Sequence, residues 1–160
     1  MNNFTFNISL SVLNHLGRNL YRNFITVLGE AISNSWDADA NEVNIYIDRE
    51  KNFLIVKDDG DGMTSDDFQN KFLKIGYSKR KDGSNKTKLN RPFIGRKGIG
   101  KLALLSCAKR IHILSKTADT DFVGGVIDNS GLDDAIKDDL TPDKYTLGAI
   151  DEDYFGKHLD

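Results

Sequence analysis

Glu30, Asn34 and Asp37 lie in the run Glu30-Ala31-Ile32-Ser33-Asn34-Ser35-Trp36-Asp37-Ala38, four and then three residues apart. An α-helix returns to nearly the same side at these intervals, so a carboxylate, an amide and a second carboxylate share one strip. The apolar residues Leu20, Phe24, Val27, Leu28, Ala31 and Ile32 form their own stripe roughly a quarter-turn away. So little Lys or Arg separates the two stripes that the polar one reads as the wall of a pocket. Such a wall can hold a metal-bound nucleotide and activate a water molecule.

A second group is Asp58-Asp59-Gly60-Asp61-Gly62, which follows an apolar run and is a turn by composition. Glycine permits positive φ and close approach to the backbone. A carboxylate fixed beside bare backbone can accept a hydrogen bond from an exocyclic amine such as that of adenine. An ordinary Asp/Gly turn has the same composition. A calcium loop does not fit, because no Glu stands at the twelfth position and flanking helices are missing.

The third group is Gly95-Arg96-Lys97-Gly98-Ile99-Gly100-Lys101, at the entry to an apolar stretch. Unpaired N–H groups at a helix start, with bare glycines around them, suit a polyphosphate, and Lys97 and Lys101 add charge. The Gly-Lys-Ser/Thr of a Walker A loop is missing, and basic loop rather than a strand precedes the segment, unlike a dinucleotide fingerprint. Glycine-rich helix entries are also common without any ligand.

These groups need elements to position them. Residues 9–17 read as a short helix and 19–36 as the main amphipathic one. Val43, Ile45 and Ile47 alternate with polar residues as a strand with one buried face, and Phe53 to Val56 form a second strand in an antiparallel hairpin. Thr64 is an N-cap with Asp66 and Asp67 in the first turn of a helix running to about Ile75. Residues 76–98 hold five glycines or prolines and many cations, and read as irregular. A buried helix over Ile99 to Ala108, a strand from Arg110 to Ser115 and another over Phe122 to Ile127 follow.

The 160 residues suit one domain with a real core. A hydrophobic fraction of 39% with 29% charged residues places the chain among soluble globular proteins. No apolar run approaches the ~20 residues that cross a bilayer, no secretory signal is visible, and the single Cys107 reads as a buried thiol. The cytoplasm is the expected location, with no membrane partner. Residues 71–101 carry eleven Lys or Arg against one acid, Asp82, whereas residues 119–160 carry twelve acids and three Lys. The basic block can attract phosphates or nucleic acid, or be a solvated loop.

In order and content, the three groups resemble the GHKL ATPases, the superfamily of DNA gyrase, the ninety-kilodalton heat-shock chaperones, histidine kinases and the mismatch-repair MutL proteins. The matching residues are Glu30, Asn34, Asp37 and Ala38, then Asp58, Gly60 and Gly62, then Gly95, Gly98 and Gly100. Phe72-Leu73-Lys74-Ile75-Gly76-Tyr77-Ser78-Lys79 is similar to the family's approach to its ATP lid. The resemblance spans about residues 9 to 117, and the Asn-x-x-Asp-Ala ending looks like the chaperone, MutL and MORC-type branch.

The resemblance implies an α/β fold, a two-layer α+β sandwich of the Bergerat type, with a mixed sheet covered by helices on one face. It implies one ATP-binding domain over residues 1–160, read as C-terminally truncated, with residues 76–98 as the ATP lid. ATP and Mg2+ are the implied cofactors. Glu30 is the implied general base for the attacking water, Asn34 the Mg2+ ligand and Asp58 the reader of the adenine amine, with Gly62 and Met63 beside the base. Asp37, Gly60, Gly95, Lys97, Gly98, Ile99, Gly100 and Lys101 complete the implied nucleotide-binding set. Histidine kinases do not need Glu30 in this role, and His15 reads as merely packed or exposed.

The family's later strand bearing a Thr has only Thr146-Leu147-Gly148 as a candidate, and the Lys that many relatives take from a following domain has no counterpart except Lys97 or Lys101. Slow, Mg2+-dependent ATP hydrolysis is therefore expected, weak or incomplete in the isolated chain. It would drive lid closure and pairing of two copies in a larger, chaperone-like machine. A non-catalytic, ATP-gated interaction module is a second reading. Nucleic-acid binding through Lys79, Arg80, Lys81, Lys86 and Lys88 is a third.

Overall fold

The computed structural model describes residues 4, 24–74, 85–95, 108–129, 146–150 and 155–156. Helix α1 covers Phe24–Asp37, and Val27 is its most deeply buried apolar side chain. The helix ends in paired backbone bonds: Ala40 N–H donates to the Ser35 carbonyl (3.0 Å) and Asp39 N–H to that of Trp36 (3.0 Å). In this C-terminal motif one residue takes the left-handed conformation, a place usually filled by glycine. Here it is Asp39, at φ 61°.

Strands β1 (Val43–Asp48) and β2 (Phe53–Asp58) pair antiparallel from Val43↔Asp58 to Asp48↔Phe53. The expected hairpin is present. Its turn is closed by the Asp48 carboxylate, which accepts from Glu50 N–H (3.0 Å) and Lys51 N–H (2.8 Å), with Asn52 at φ 55°. The expected buried face of β1 is not seen: Val43 is half-buried, while Ile45 and Ile47 are exposed. Alternation specifies which residues share a face, and says nothing of whether another element covers it.

Thr64 caps the next element, α2, through a reciprocal box. Its hydroxyl accepts from Asp67 N–H (3.1 Å), and Asp67 accepts from Thr64 N–H (3.3 Å), an arrangement worth about 1 kcal/mol. After one α-turn over Ser65–Asp67 the chain widens into a π-turn over Phe68–Phe72, closed by Leu73 N–H on the Phe68 carbonyl at 2.9 Å. A regular helix was the sequence expectation. The wider turn lets Phe68 and Leu73 both bury fully and stacks Phe72 on Phe68 at 5.4 Å. Phe4 meets Phe68 edge-on at 4.7 Å.

Strands β3 (Arg110–Ser115) and β4 (Val123–Asp128) form a second antiparallel pair, from Arg110↔Asp128 to Ser115↔Val123. Gly148 bridges Val126 on the free side of β4, and the buried Leu147 donates its N–H to the Phe4 carbonyl at 2.9 Å. The chain thus has the expected α/β character, and the ladders among the described residues are antiparallel. The segments expected as helices at 9–17 and 99–108 lie outside the described residues except for Ala108. No helix among the described residues is long and apolar enough to cross a membrane.

Candidate functional site

The site is built where the end of α1, the end of β2 and the end of β3 meet. Ser35 is 2% exposed, and its hydroxyl donates to Asp58 Oδ2 at 2.9 Å. The same oxygen lies 3.2 Å from the Ala31 carbonyl. One hydroxyl carries one proton, and the shorter, charge-assisted bond to Asp58 is the stronger claim on it. Asp58 Oδ1 accepts from Gly60 N–H at 3.0 Å. Asp58 is exposed, and an ionised carboxylate offers about four acceptor positions, so each oxygen can take a further donor.

The loop beyond Asp58 is locked at both ends. Asp61 N–H donates to the Ala38 carbonyl at 2.7 Å, and Met63 N–H to the Ser115 hydroxyl at 3.0 Å. A Cβ on Gly60 would lie 2.8 Å from the Ala38 carbonyl oxygen and 2.9 Å from Asp58 Oδ1. Gly62 sits at φ +69°, and a Cβ there would run into the Lys116 carbonyl. Both glycines therefore let backbone approach backbone, which holds Asp58 and Met63 in place. Asp59 faces the other way, and its Oδ1 accepts from Asn41 N–H (2.7 Å) and Glu42 N–H (2.8 Å). The Glu42 N–H, above all, holds the Asp59 carboxyl below its ordinary value; burial opposes this, and Asn41 N–H and Arg91 assist.

Asp37, 7% exposed, accepts from Ile94 N–H at Oδ1 (2.8 Å) and from Gly95 N–H at Oδ2 (3.0 Å). Gly95 is a glycine for a local reason: a Cβ would stand 2.7 Å from Asp37 Oδ2. Two residues on, Asp39 accepts from Leu89 N–H at 3.0 Å. Burial opposes ionisation of Asp39. The Thr87 hydroxyl, Leu89 N–H and the Arg91 charge outweigh it and keep the carboxyl below its usual value.

Glu30 and Asn34 differ from these. They stand one turn apart on α1, half-buried and exposed respectively, and neither side chain has a hydrogen-bond partner among the described residues. They are free to take a ligand. No three His, Cys, Asp or Glu side chains among the described residues converge on a metal site. Mg2+ typically needs few protein ligands, binding through one or two of them plus phosphate oxygens and water, so a lone amide fits it.

Of the residues read from sequence, the structure brings Asp58, Gly60, Gly62 and Met63 into one locked loop, and Asp37 against Gly95. Lys97, Gly98, Ile99, Gly100 and Lys101 lie outside the described residues. Sequence reasoning missed Ser35, which orients Asp58, and the trio Trp36, Asp39 and Arg91. The signal was a buried serine inside the first motif, and an Asp at a helix end where glycine is usual.

Comparison with known proteins places the chain in a family. The profile of the family described as "Histidine kinase-, DNA gyrase B-, and HSP90-like ATPase" matches residues 21–134, and the chain belongs to that family. It is 38% identical over 133 residues to "Putative type II restriction enzyme HgiDII" of Herpetosiphon aurantiacus, covering 83% of this chain and 21% of that protein. It is 30% identical over 125 residues to "DNA mismatch repair protein MutL" of Anaplasma phagocytophilum (78% and 19% covered), and 30% over 128 residues to that of Ehrlichia chaffeensis (79% and 18%). The chain thus spans about a fifth of these relatives' length. Family membership supports ATP binding in general.

Proposed function

We propose that the chain binds ATP with Mg2+ and hydrolyses it slowly, as the nucleotide-operated part of a longer protein. The observation that carries this reading is Asp58, held by Ser35 and Gly60 yet exposed, with acceptor capacity left for the adenine amine. Glu30 has no competing partner among the described residues and serves as general base, orienting water and taking its proton. Asn34 holds Mg2+, which neutralises phosphate charge when bound. Phosphoryl transfer is mostly positioning plus charge stabilisation, so these few groups suffice. The glycines at 98 and 100 would lie over the phosphates, Lys97 or Lys101 would add charge there, residues 76–98 would act as a lid, and closure would favour pairing of two copies.

Titration calorimetry with Mg-ATP tests the pocket: wild type binds, and Asp58→Asn loses about tenfold or more in affinity, as loss of a charged acceptor predicts. Phosphate release tests the chemistry: Glu30→Ala binds ATP but turns over on the order of 10²–10⁴-fold more slowly. Binding without turnover in wild type would replace the ATPase by an ATP-gated module.

A second reading has one specific support. The relatives are named as a restriction enzyme and as DNA mismatch repair proteins. The eleven cations of residues 71–101 give this chain a basic block that suits DNA. Binding to duplex DNA that weakens steeply with salt is then expected, and no binding at low salt would remove this reading.

A further inference from the structure

The stretch 85–95 falls inside the expected lid, yet much of it is tied to the end of α1. Within the stretch, Thr87 N–H donates to the Arg91 carbonyl (2.9 Å), Asn90 N–H to that of Thr87 (3.0 Å), and Lys86 bridges Pro92. Arg91 then reaches across: Nη1 donates to the Ala40 carbonyl (2.5 Å) and Nη2 to Asn41 Oδ1 (3.0 Å). Its Nε lies 4.0 Å from Asp39 Oδ1, and its guanidinium stands 5.0 Å over the Trp36 ring. Trp36 Nε1 donates in turn to the Pro92 carbonyl at 3.0 Å. Only a planar fork donates through both Nη atoms to two acceptors while lying over an indole, which is why lysine is no substitute.

Asp39 makes the case sharper. Its left-handed backbone is one that glycine adopts without strain. The side chain there carries a steric cost, and its carboxylate accepts from Leu89 N–H at Oδ2, with Oδ1 on the side of Arg91. An observed backbone outlier whose side chain holds another segment is a reason to look for a role.

We propose that Asp39, Arg91 and Trp36 are positioning residues: they pin residues 85–95 as a fixed rail, not a moving cover, and so hold Gly95 against Asp37 before nucleotide arrives. In assigning the rail to a nucleotide site, this rests on the ATP reading above. Residues 85–95 then take no part in lid closure, and affinity depends on a rail that does not itself move.

Trp36 is the chain's single tryptophan, so its fluorescence reports the clamp directly. In nucleotide-free protein, Arg91→Gln and Asp39→Gly each raise acrylamide quenching of Trp36 by about twofold, and amide exchange across 87–95 accelerates about tenfold or more. Asp39→Gly keeps the helix-ending turn, so it is read even if Arg91→Gln folds poorly. Adding Mg-ATP to wild type leaves both signals unchanged. In Arg91→Gln, KM for ATP rises about tenfold while kcat changes less than about twofold, a split that a general loss of structure would not give.

Two results overturn the proposal: ATP altering Trp36 quenching or exchange at 87–95 in wild type, or Asp39→Gly leaving both unchanged. If wild type takes up no ATP, the ATP reading fails, and the nucleotide-free signals still decide whether the clamp exists.

Discussion

The middle of α1 and its C-terminal end carry the same kinds of side chain and use them in opposite ways. Glu30 and Asn34 have no hydrogen-bond partner among the described residues, whereas Asp37 and Asp39, a turn further on, are buried and accept backbone N–H groups from residues 89, 94 and 95. One short motif thus joins an unpaired half to a structural half. Groups left unpaired in the folded protein cost little to remove and matter to chemistry. Groups already paired cost much to remove and matter first to shape.

The largest expected effects test that division directly. Asp37→Ala leaves the Ile94 and Gly95 N–H groups without their acceptor, and should lower unfolding free energy by about 2–4 kcal/mol. Glu30→Ala should stay within about 0.5 kcal/mol of wild type, since it removes no hydrogen bond or ion pair among the described residues. Urea unfolding of both variants checks the pair. Equal losses would erase the contrast between the two halves of the motif.

Next in size is Gly62. An alanine there must hold φ +69° and push against the Lys116 carbonyl, so Gly62→Ala should cost about 1–3 kcal/mol or more. Because Gly62 separates the loop bearing Asp58 from the end of β3, ATP affinity should fall together with stability. A variant as stable as wild type would show that the loop is free to move away from β3.

Acid pH tests Asp39 of the structural half. Asp39, Asp59 and Asp67 all sit below the ordinary value of 3.8 when folded. A depressed folded pKa contributes stability that is fully present above the unfolded value and is lost as pH falls through the folded one. The acid limb of the stability curve should therefore begin near pH 3.8 and continue below it, and Asp39→Asn should make it shallower. A limb unchanged in that variant would remove Asp39 from the linkage.

Much of this was legible in the sequence, and the rest was hidden for physical reasons. The strands, the Thr64 cap and the placing of Glu30, Asn34 and Asp37 on one helix follow from periodicity and local bonding, which neighbouring residues decide. The use of Asp37 depends on Ile94 and Gly95, 57 and 58 residues away, and no local pattern encodes that pairing. The π-turn at Phe68–Phe72 is likewise set by burial of Phe68 and Leu73, a tertiary demand that overrides the regular helix expected from the cap. Exposure of Ile45 and Ile47 escaped notice because alternation carries no information about cover.

The smallest expected effect lies at the rim of the clamp. Lys88 is paired with Asp61 at 2.8 Å, but its side chain is 81% exposed. The Asp61 carboxylate, by hydrogen bond and by charge, lifts the lysine above its ordinary value. Water and salt compete for both groups, so an exposed pair of this kind contributes little to stability. Lys88→Ala should consequently change stability barely, and any change should vanish in 1 M salt, whereas the loss in Arg91→Gln should persist because that guanidinium is shielded between Ala40, Asn41 and Trp36. Parallel unfolding curves at low and high salt separate the two. If Lys88→Ala proved as damaging as Arg91→Gln, and equally indifferent to salt, the rail would be held by its rim charges rather than by the stacked guanidinium beneath them.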